Sequence, residues 1–429
     1  MLKKSAALIT CLMLALSLLV GCSGADGASG TAGGGEIEIN VLSATMRLDA
    51  MVDGWEEMIT KFEEENPGVN VNLEMQEWEA IPQYLAQARM AGEQIDIIRT
   101  TGGQIRSTLA PAGALMELSQ VVEPIKDRFE EGTLDVYNVG GYQWGIPYSE
   151  TTVSCVYYNK TMFDELGLEE PKTLDELQHC ADVIREEKGI ANPWIHQMFF
   201  EETYAQTSHN ESIAKAEDWL SGNSSFVNDE TIEAFAMIGE LFERGILTKD
   251  SLNTDDTGMK ALFAQQEAAM FYGGTWEYAP VLEIVGDTFE VGVFMFPEMA
   301  DGLVPQGSGA ADDGIAVASN CNKEHSDMVV KFLEFMTRPE NAQLTIGATE
   351  PILPVIKGVE AVDMPCAEEL MSFVPQNIMY IDWMLPAEIN DALGNAIAGV
   401  ASGEVTSEQA AQSVQDAYET VVRKKITAM

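Results

Sequence analysis

The sequence predicts an α/β fold divided between two lobes, on three observations. Stretches whose apolar residues alternate with period two are followed repeatedly by stretches whose apolar residues recur at helical spacing. Hydrophobic residues make up 46% of the chain and aromatics 8%, enough for substantial cores. About 390 residues follow a glycine-rich leader, more than one core usually serves.

The elements follow in order. In "EIEINVLSA" Ile37, Ile39 and Val41 alternate as a strand. Met51, Trp55, Met58, Ile59 and Phe62 then recur as a helix, which Asn66-Pro67-Gly68 stops. Val69, Val71, Leu73 and Met75 alternate again, a helix follows near 81–91, and "IDII" at 95–98 reads as a short buried strand. This succession is the grammar of a parallel sheet wrapped in helices. Residues 141–187 begin strand-like and rich in aromatics up to Asn159, then hold two helices separated by Pro171, the second opened by a Thr173/Glu176 capping box. Helices are expected near 229–243 and 257–266, a strand at 268–272 with a glycine turn and a helix start, and a strand at 314–318. The last expected helices lie near 325–336, 386–400 and 406–425, the final one with Thr406 and Gln409 as its capping pair.

The first 35 residues set the compartment. Lys3 and Lys4 precede an apolar run, Ser5 to Val20, that would rise roughly 24 Å as a helix, short of the roughly 30 Å hydrocarbon layer. It reads as a secretory signal spanning residues 1–21. Leu19-Val20-Gly21-Cys22 resembles a bacterial lipobox, in which cleavage before the cysteine leaves Cys22 to carry diacylglycerol and anchor the chain to the cell membrane from outside. Residues 22–35 are then the lipidated cysteine and a flexible tether.

The formal charge is −45, and removing residues 1–21, which hold Lys3 and Lys4 and no acid, makes it −47. Such a surface repels nucleic acid and anionic lipid. Cys155, Cys180, Cys321 and Cys366 permit three pairings and the spacing selects none. The default reading is small buried residues in a compartment that permits disulfides.

Motifs for catalysis are missing: there is no G-x-S-x-G, P-loop, H-E-x-x-H or G-x-G-x-x-G after a strand. His179, His196, His209 and His325 never fall at metal-ligand spacing and read as surface or helix residues. "NTDDTG" at 253–258 has the acids of a calcium loop but Ala264 stands where the closing glutamate belongs, so it reads as a solvated helix start. What stands out is aromatics beside turn residues: Trp276 after Gly273-Gly274-Thr275, Trp144 and Tyr148 flanking Gly145-Ile146-Pro147, and Trp78 and Trp383 beside acids. A sugar presents apolar C–H faces and a rim of hydroxyls, and its receptor needs flat aromatic faces with planar polar groups beside them.

The lipobox, "W-x-x-M-I-x-K-F-E-x-x-N-P-G-V-x-V" from Trp55 to Val71, "GALMELS" at 113–119, "WGIPY" at 144–148, "VYYNK" at 156–160 and "PKTLDEL" at 171–177 carry a resemblance. It continues through "AAMFYGGTWE" at 268–277, "DDGIAVAS" at 312–319, "FLEFMTRPE" at 332–340 and "SGEVTSEQAA" at 402–411. This ordered set is similar to the family 1 extracellular solute-binding proteins of ABC importers. The resemblance implies a two-lobed periplasmic-binding-protein-like α/β fold of class II type, with the ligand cleft between lobes joined by a multi-strand hinge. Lobe one would hold 36–148 and 313–347, and lobe two 149–312 and 348–429. It further implies a monomeric carbohydrate receptor, without metal or cofactor, that closes on its ligand and delivers it to the transmembrane subunits of a permease.

Residue by residue, the resemblance puts the sugar-stacking tryptophan on Trp276, with Glu277 beside it, and a hinge-side pocket position on Tyr148, with Trp144 and Glu150 around it. Arg47 and the 43–47 stretch after the first strand, Thr101 and Gln104 after "IDII", and Asp313 before the hinge return would face the cleft. Trp383 with Tyr380 and, more weakly, Trp78 and Trp194 are further candidates. Two other readings stay open on the residues alone: a receptor for a polyamine or other cation, which the acid excess suits, and a surface glycan-degrading enzyme.

Overall fold

The computed structural model describes residues 37–46, 48–196, 200–209, 211–322, 325–349, 352–362, 366–374 and 377–428. The signal segment, Cys22, the tether and Arg47 lie outside the described residues. Residues 36–429 form one compact unit.

The chain first lays down β1 (Ile37–Ala44), β2 (Val69–Gln76) and β3 (Ile97–Thr100). β1 pairs in parallel with both neighbours, Ile37 opposite Val69 and Val41 opposite Ile97. The helix Asp49–Glu65 between the first two buries Met51, Trp55, Met58, Ile59 and Phe62, the stripe its spacing predicts. It stops where the Asn66 side-chain amide turns back to donate to the Phe62 carbonyl (2.7 Å) and Gly68 takes φ 95°, a region that favours glycine.

After β4 (Ile146–Pro147) the chain builds a second sheet from β5 (Ser154–Asn159), β6 (Trp194–Ile195), β7 (Met270–Gly274) and β8 (Val291–Phe294), in the order β8-β5-β7-β6. It then returns as β9 (Gly314–Val317), giving the first sheet the order β2-β1-β3-β9-β4. The first sheet is therefore mixed and not wholly parallel: β9 runs antiparallel to β3, Ile315 opposite Arg99, and to β4. A strand entering from the other lobe runs opposite to the strands that lead towards it, which periodicity within a segment does not reveal.

Each sheet has its own core. Trp55, Phe62, Tyr148 and Phe332 pack around the first; Trp194, Trp219 and Phe235 pack on one side of the second and Tyr157 and Phe271 on the other. The expected boundaries give 348–429 to the second lobe, yet Val355, Ile356, Val359 and Trp383 pack in the first core. Ile356 makes a β-bridge with Phe129 of the first lobe, which draws that stretch across.

Three stretches, 149–152, 310–312 and 353–355, cross side by side between the sheets. Thr152 N donates to Ala310 O (2.8 Å) and Asp312 N to Glu150 O (3.0 Å) on one side; Thr151 N donates to Leu353 O (2.8 Å) and Val355 N to Ser149 O (3.0 Å) on the other. Laterally bonded strands resist shear and leave bending as the soft motion, as a hinge requires.

Local signals largely hold. Both capping pairs form, Thr173 with Glu176 and Thr406 with Gln409. Asp255 of the acidic "NTDDTG" accepts from Gly258 N (2.7 Å) and starts the helix Asp256–Ala264. The four cysteines are free thiols, three of them buried. His196 departs from its surface reading: it is fully buried at the end of β6 and stacks on Tyr272 at 4.1 Å, and burial holds its pKa well below the usual value. Among the described residues no helix is long and apolar enough to cross a membrane, and no group of three or more His, Cys, Asp or Glu is placed to hold a metal ion.

Candidate functional site

Where the carboxyl ends of β1 and β3 meet the hinge, the structure encloses about 610 Å³ of space, part of it open to solvent, between the two sheets. Thr45, Leu48, Met51, Trp78 and Arg99 line it from the first lobe, Ser149, Glu150, Thr152, Asp312 and Asp313 from the crossings, and Trp276 and Pro280 from the second lobe.

On the first-lobe wall the central group is Arg99, whose place at the end of the buried β3 leaves it 2% exposed. Its guanidinium donates to Ser43 Oγ (3.2 Å) and the Ala44 carbonyl (3.0 Å), and pairs with the carboxylate of Asp313. The same guanidinium lies 5.2 Å from the centre of the Trp78 ring, a cation–π contact that fixes the indole at the cavity edge. Behind Trp78, Gln104 Nε2 donates to the Trp78 carbonyl (2.6 Å), and Thr101 accepts from Gln104 N (3.1 Å) at the start of the turn. Thr101 and Gln104 thus support Trp78 from behind and do not line the cavity.

At the crossings Glu150 is buried and accepts from Ile352 N (2.9 Å). Burial raises its pKa and the charge of Asp312 adds to the rise, while bonds from Thr275 and the Ile352 and Leu353 amides oppose it. Asp312 accepts from Gly102 N (3.2 Å), and Asp313 turns the chain at φ 59°, in the left-handed region that a short acidic side chain tolerates.

From the second lobe, β7 ends in Gly273-Gly274 and delivers Trp276. A methyl group on Gly274 would stand 2.2 Å from Cζ3 of that indole, so the ring lies flat against bare backbone. Glu277 points the other way, 1% exposed and paired with Lys260 at 2.6 Å within the second lobe.

Several expected residues sit elsewhere. Tyr148 is core: its ring meets Trp55 at 5.7 Å and its hydroxyl lies 2.9 Å from that of Thr345, because the strand pleat just before the hinge turns it into the first lobe. Trp144 donates to the Val139 carbonyl (3.2 Å) and lies beside Tyr142, away from the cavity. Trp383 lies against Gly103, whose added Cβ would be 2.3 Å from the ring, and contacts Tyr380 at 4.8 Å. It joins the late chain to the first core and does not line the cavity. Trp194 is fully buried, and Arg47 lies outside the described residues. Of the expected set, Trp276, Trp78, Glu150 and Asp313 meet on one cavity.

Sequence reasoning passed over Arg99, although a charged residue straight after the buried run "IDII" is a signal in itself. It also passed over the acids of "FFEETY". Thr152 on the cavity wall lies 3.3 Å from the Tyr380 hydroxyl, which lies 3.4 Å from Ser154 Oγ; Ser154 lies 2.9 Å from Ser308 Oγ, which donates to Glu202 (2.6 Å). Tyr272 donates to the same carboxylate. Glu201 and Asp382 complete this inner group. Burial raises the pKa of Glu201 well above the usual range, and the charges of Asp382 and Glu202 add to it. Burial likewise raises Glu202, against the opposing hydroxyls of Ser308 and Tyr272, and takes Asp382 to about 7, with Glu202 and Asp312 adding and the Trp383 amide opposing.

These shifts carry a sign. A carboxyl raised in the folded state holds its proton there above the pH at which the unfolded chain loses it, so stability falls as pH rises between about 4 and 7, by up to about 1.4 kcal/mol per pH unit per group. The thermal midpoint of the ligand-free protein is expected to drop from pH 5 to pH 7.5, and Asp382→Asn to flatten part of that slope. General repulsion among surface acids would give the same slope in both proteins, so unchanged steepness in the variant counts against the assignment.

A family model described as bacterial extracellular solute-binding protein matches residues 57–371, more than half of the chain. The chain is 23% identical to the multiple sugar-binding protein of Streptococcus mutans over 318 residues, 70% of this chain and 71% of that one. Among solved structures it is similar to a chitin oligosaccharide binding protein (TM-score 0.75, 20% identity), covering 90% of this chain and 99% of the other. It is also similar to the solute-binding protein RafE in complex with raffinose (TM-score 0.71, 20% identity), covering 89% and 98%. The structural matches fix the fold as the two-lobed type.

Proposed function

Because the chain belongs to the bacterial extracellular solute-binding proteins, we propose that it captures a carbohydrate, an oligosaccharide, in the cleft between its lobes and hands it to the permease of an ABC importer. One observation carries the reading: a tryptophan from each lobe, Trp78 and Trp276, lines a single cavity whose remaining walls offer planar carboxyls and a guanidinium. Indole faces suit the C–H faces of sugar rings, and the carboxyls accept from their hydroxyls. A ligand touching both lobes stabilises the closed form over the open one, because the open form offers it only one wall. The lobes are 36–148 with 313–347 and 149–312 with 348–429, apart from the short returns into the first core. Cys22 carries the lipid that holds this monomeric receptor at the cell membrane, and the chain works without catalysis, as its family of binding proteins supports.

The test is a thermal-shift screen of residues 36–429 against mono- and oligosaccharides, polyamines and amino acids. A ligand at about a hundred times its dissociation constant stabilises the folded state by about 2.7 kcal/mol. A rise with one class of saccharide is the expected result. A rise with polyamines or amino acids alone overturns the carbohydrate reading, and steady release of shorter products from the glycan overturns the receptor reading.

A further inference from the structure

Residues 381–389 serve both cores at once. Ile381, Met384, Leu385 and Ile389 pack in the second core, while Trp383, between them, packs in the first. Met384 N donates to Ile381 O (2.9 Å) and Asn390 Nδ2 to Asp382 O (2.8 Å), which ties this turn to the helix Ala387–Ser402 and makes the indole a fixed projection from the second lobe. The first lobe receives it on two residues without side chains: an added Cβ would stand 3.0 Å from the ring at Gly102 and 2.3 Å at Gly103. Tyr380, 4.8 Å from Trp383, continues the contact towards the crossings, its hydroxyl 3.3 Å from that of Thr152.

These two rings stand between two spaces. On one side Thr152, beside Tyr380, and Asp312, which accepts from Gly102 N (3.2 Å), line the cavity of Trp78 and Trp276. On the other side Met384, next after Trp383, and Ser107, which donates to Gly103 O (2.7 Å), line a groove of about 1160 Å³, part of it open to solvent. The groove also takes walls from both lobes, Arg106 and Val139 from the first, Leu220 and Val421 from the second. A sugar does not displace the indole from its seat, because vacating it would leave a void in the first core. Volume sets a matching limit. A hexose unit takes roughly the volume of six waters, about 180 Å³, so a cavity of about 610 Å³ holds about three.

We infer that Trp383, with Tyr380, is the partition that ends the sugar site on this side, and that it sets the length of the ligand to about three units or fewer. This inference rests on the carbohydrate reading and narrows it. Neither ring touches the ligand; the pair acts by position, dividing what would otherwise be one long cleft between the lobes into an inner cavity and an outer groove. A longer chain leaves by the open side of the cavity, where its further units meet water and add no affinity.

Saccharides of two to six units test this by titration calorimetry on the full chain in detergent, in three series: α-1,4-glucosides, β-1,4-glucosides and β-1,4-linked N-acetylglucosaminides. In a series that binds, affinity is expected to rise up to three units and then to change by less than about twofold up to six. Tyr380→Ala with Trp383→Ala is expected to bind the six-unit member about tenfold or more tighter than the three-unit member, because the chain then runs on into the outer groove. Leucine at both positions keeps apolar contact with the first core and replaces the alanines where the thermal midpoint shows them unfolded. Adding Leu220→Arg, which fills the groove, should cancel the gain, whereas Leu220→Arg alone leaves binding as in wild type. Rings with only a structural role would change every length alike, so an even loss across a series in the folded variant overturns the inference. Wild-type affinity that keeps rising from three to six units also overturns it, and both results leave the carbohydrate reading standing. Absence of binding in all three series overturns that reading and the inference with it.

Discussion

Trp276→Ala is expected to lower affinity for the cleft ligand by about thirtyfold or more, on the order of 2 kcal/mol, while the empty protein keeps its fold. The indole stands at the cavity wall on a backbone stripped of side chains, so its loss removes contact area with the ligand more than contact area with the core. Gly274→Ala provides the companion test. Its methyl would stand 2.2 Å from the Trp276 ring and drive the indole off its seat, so affinity falls although the tryptophan remains. Both effects are read by titration beside the denaturation midpoint. Unchanged affinity with a lowered midpoint in Trp276→Ala would make this tryptophan a packing residue.

Arg99→Met is expected to destabilise the protein by about 3–5 kcal/mol, because it breaks a buried ion pair from one side. The loss leaves Asp313 without its guanidinium beside Asp312 and Glu150, takes away the guanidinium's bonds to the Ala44 carbonyl and Ser43 hydroxyl, which keep their bond to each other (2.9 Å), and removes the charge against which Trp78 rests. Adding Asp313→Asn should recover part of the stability, since asparagine keeps the left-handed backbone and drops the charge that Arg99 neutralised. Urea denaturation of the single and double variants measures both. Equal midpoints for wild type and Arg99→Met would show that the pair contributes little and that Asp313 is already solvated.

The parts of this molecule that are set by neighbours in sequence were open to reading. The Met51–Phe62 stripe, the two capping pairs and the Asn66-Pro67-Gly68 stop each depend on residues three or four apart, and the structure places them as their spacing predicts. The glycine turn that presents Trp276 belongs to the same class, since its requirement for bare backbone arises within three residues. Trp78 and Asp313, each next to one end of a strand, line the cavity.

What the sequence by itself determined, then, is the α/β succession, the family resemblance and the acid-rich character of the chain. Only the tertiary structure decided which of these groups meet. Tyr148 and Trp383 read as cleft aromatics and are claimed by the first core, because pleat and packing turn them inward. Arg99 and Asp313 form an ion pair across 214 positions, and Ser308 reaches Glu202 across 106, separations at which no local pattern specifies a partner. The physical reason is range: helices, caps and turns are fixed by short-range sterics and hydrogen bonding, whereas a cleft between lobes is fixed by which distant strands the hinge brings side by side.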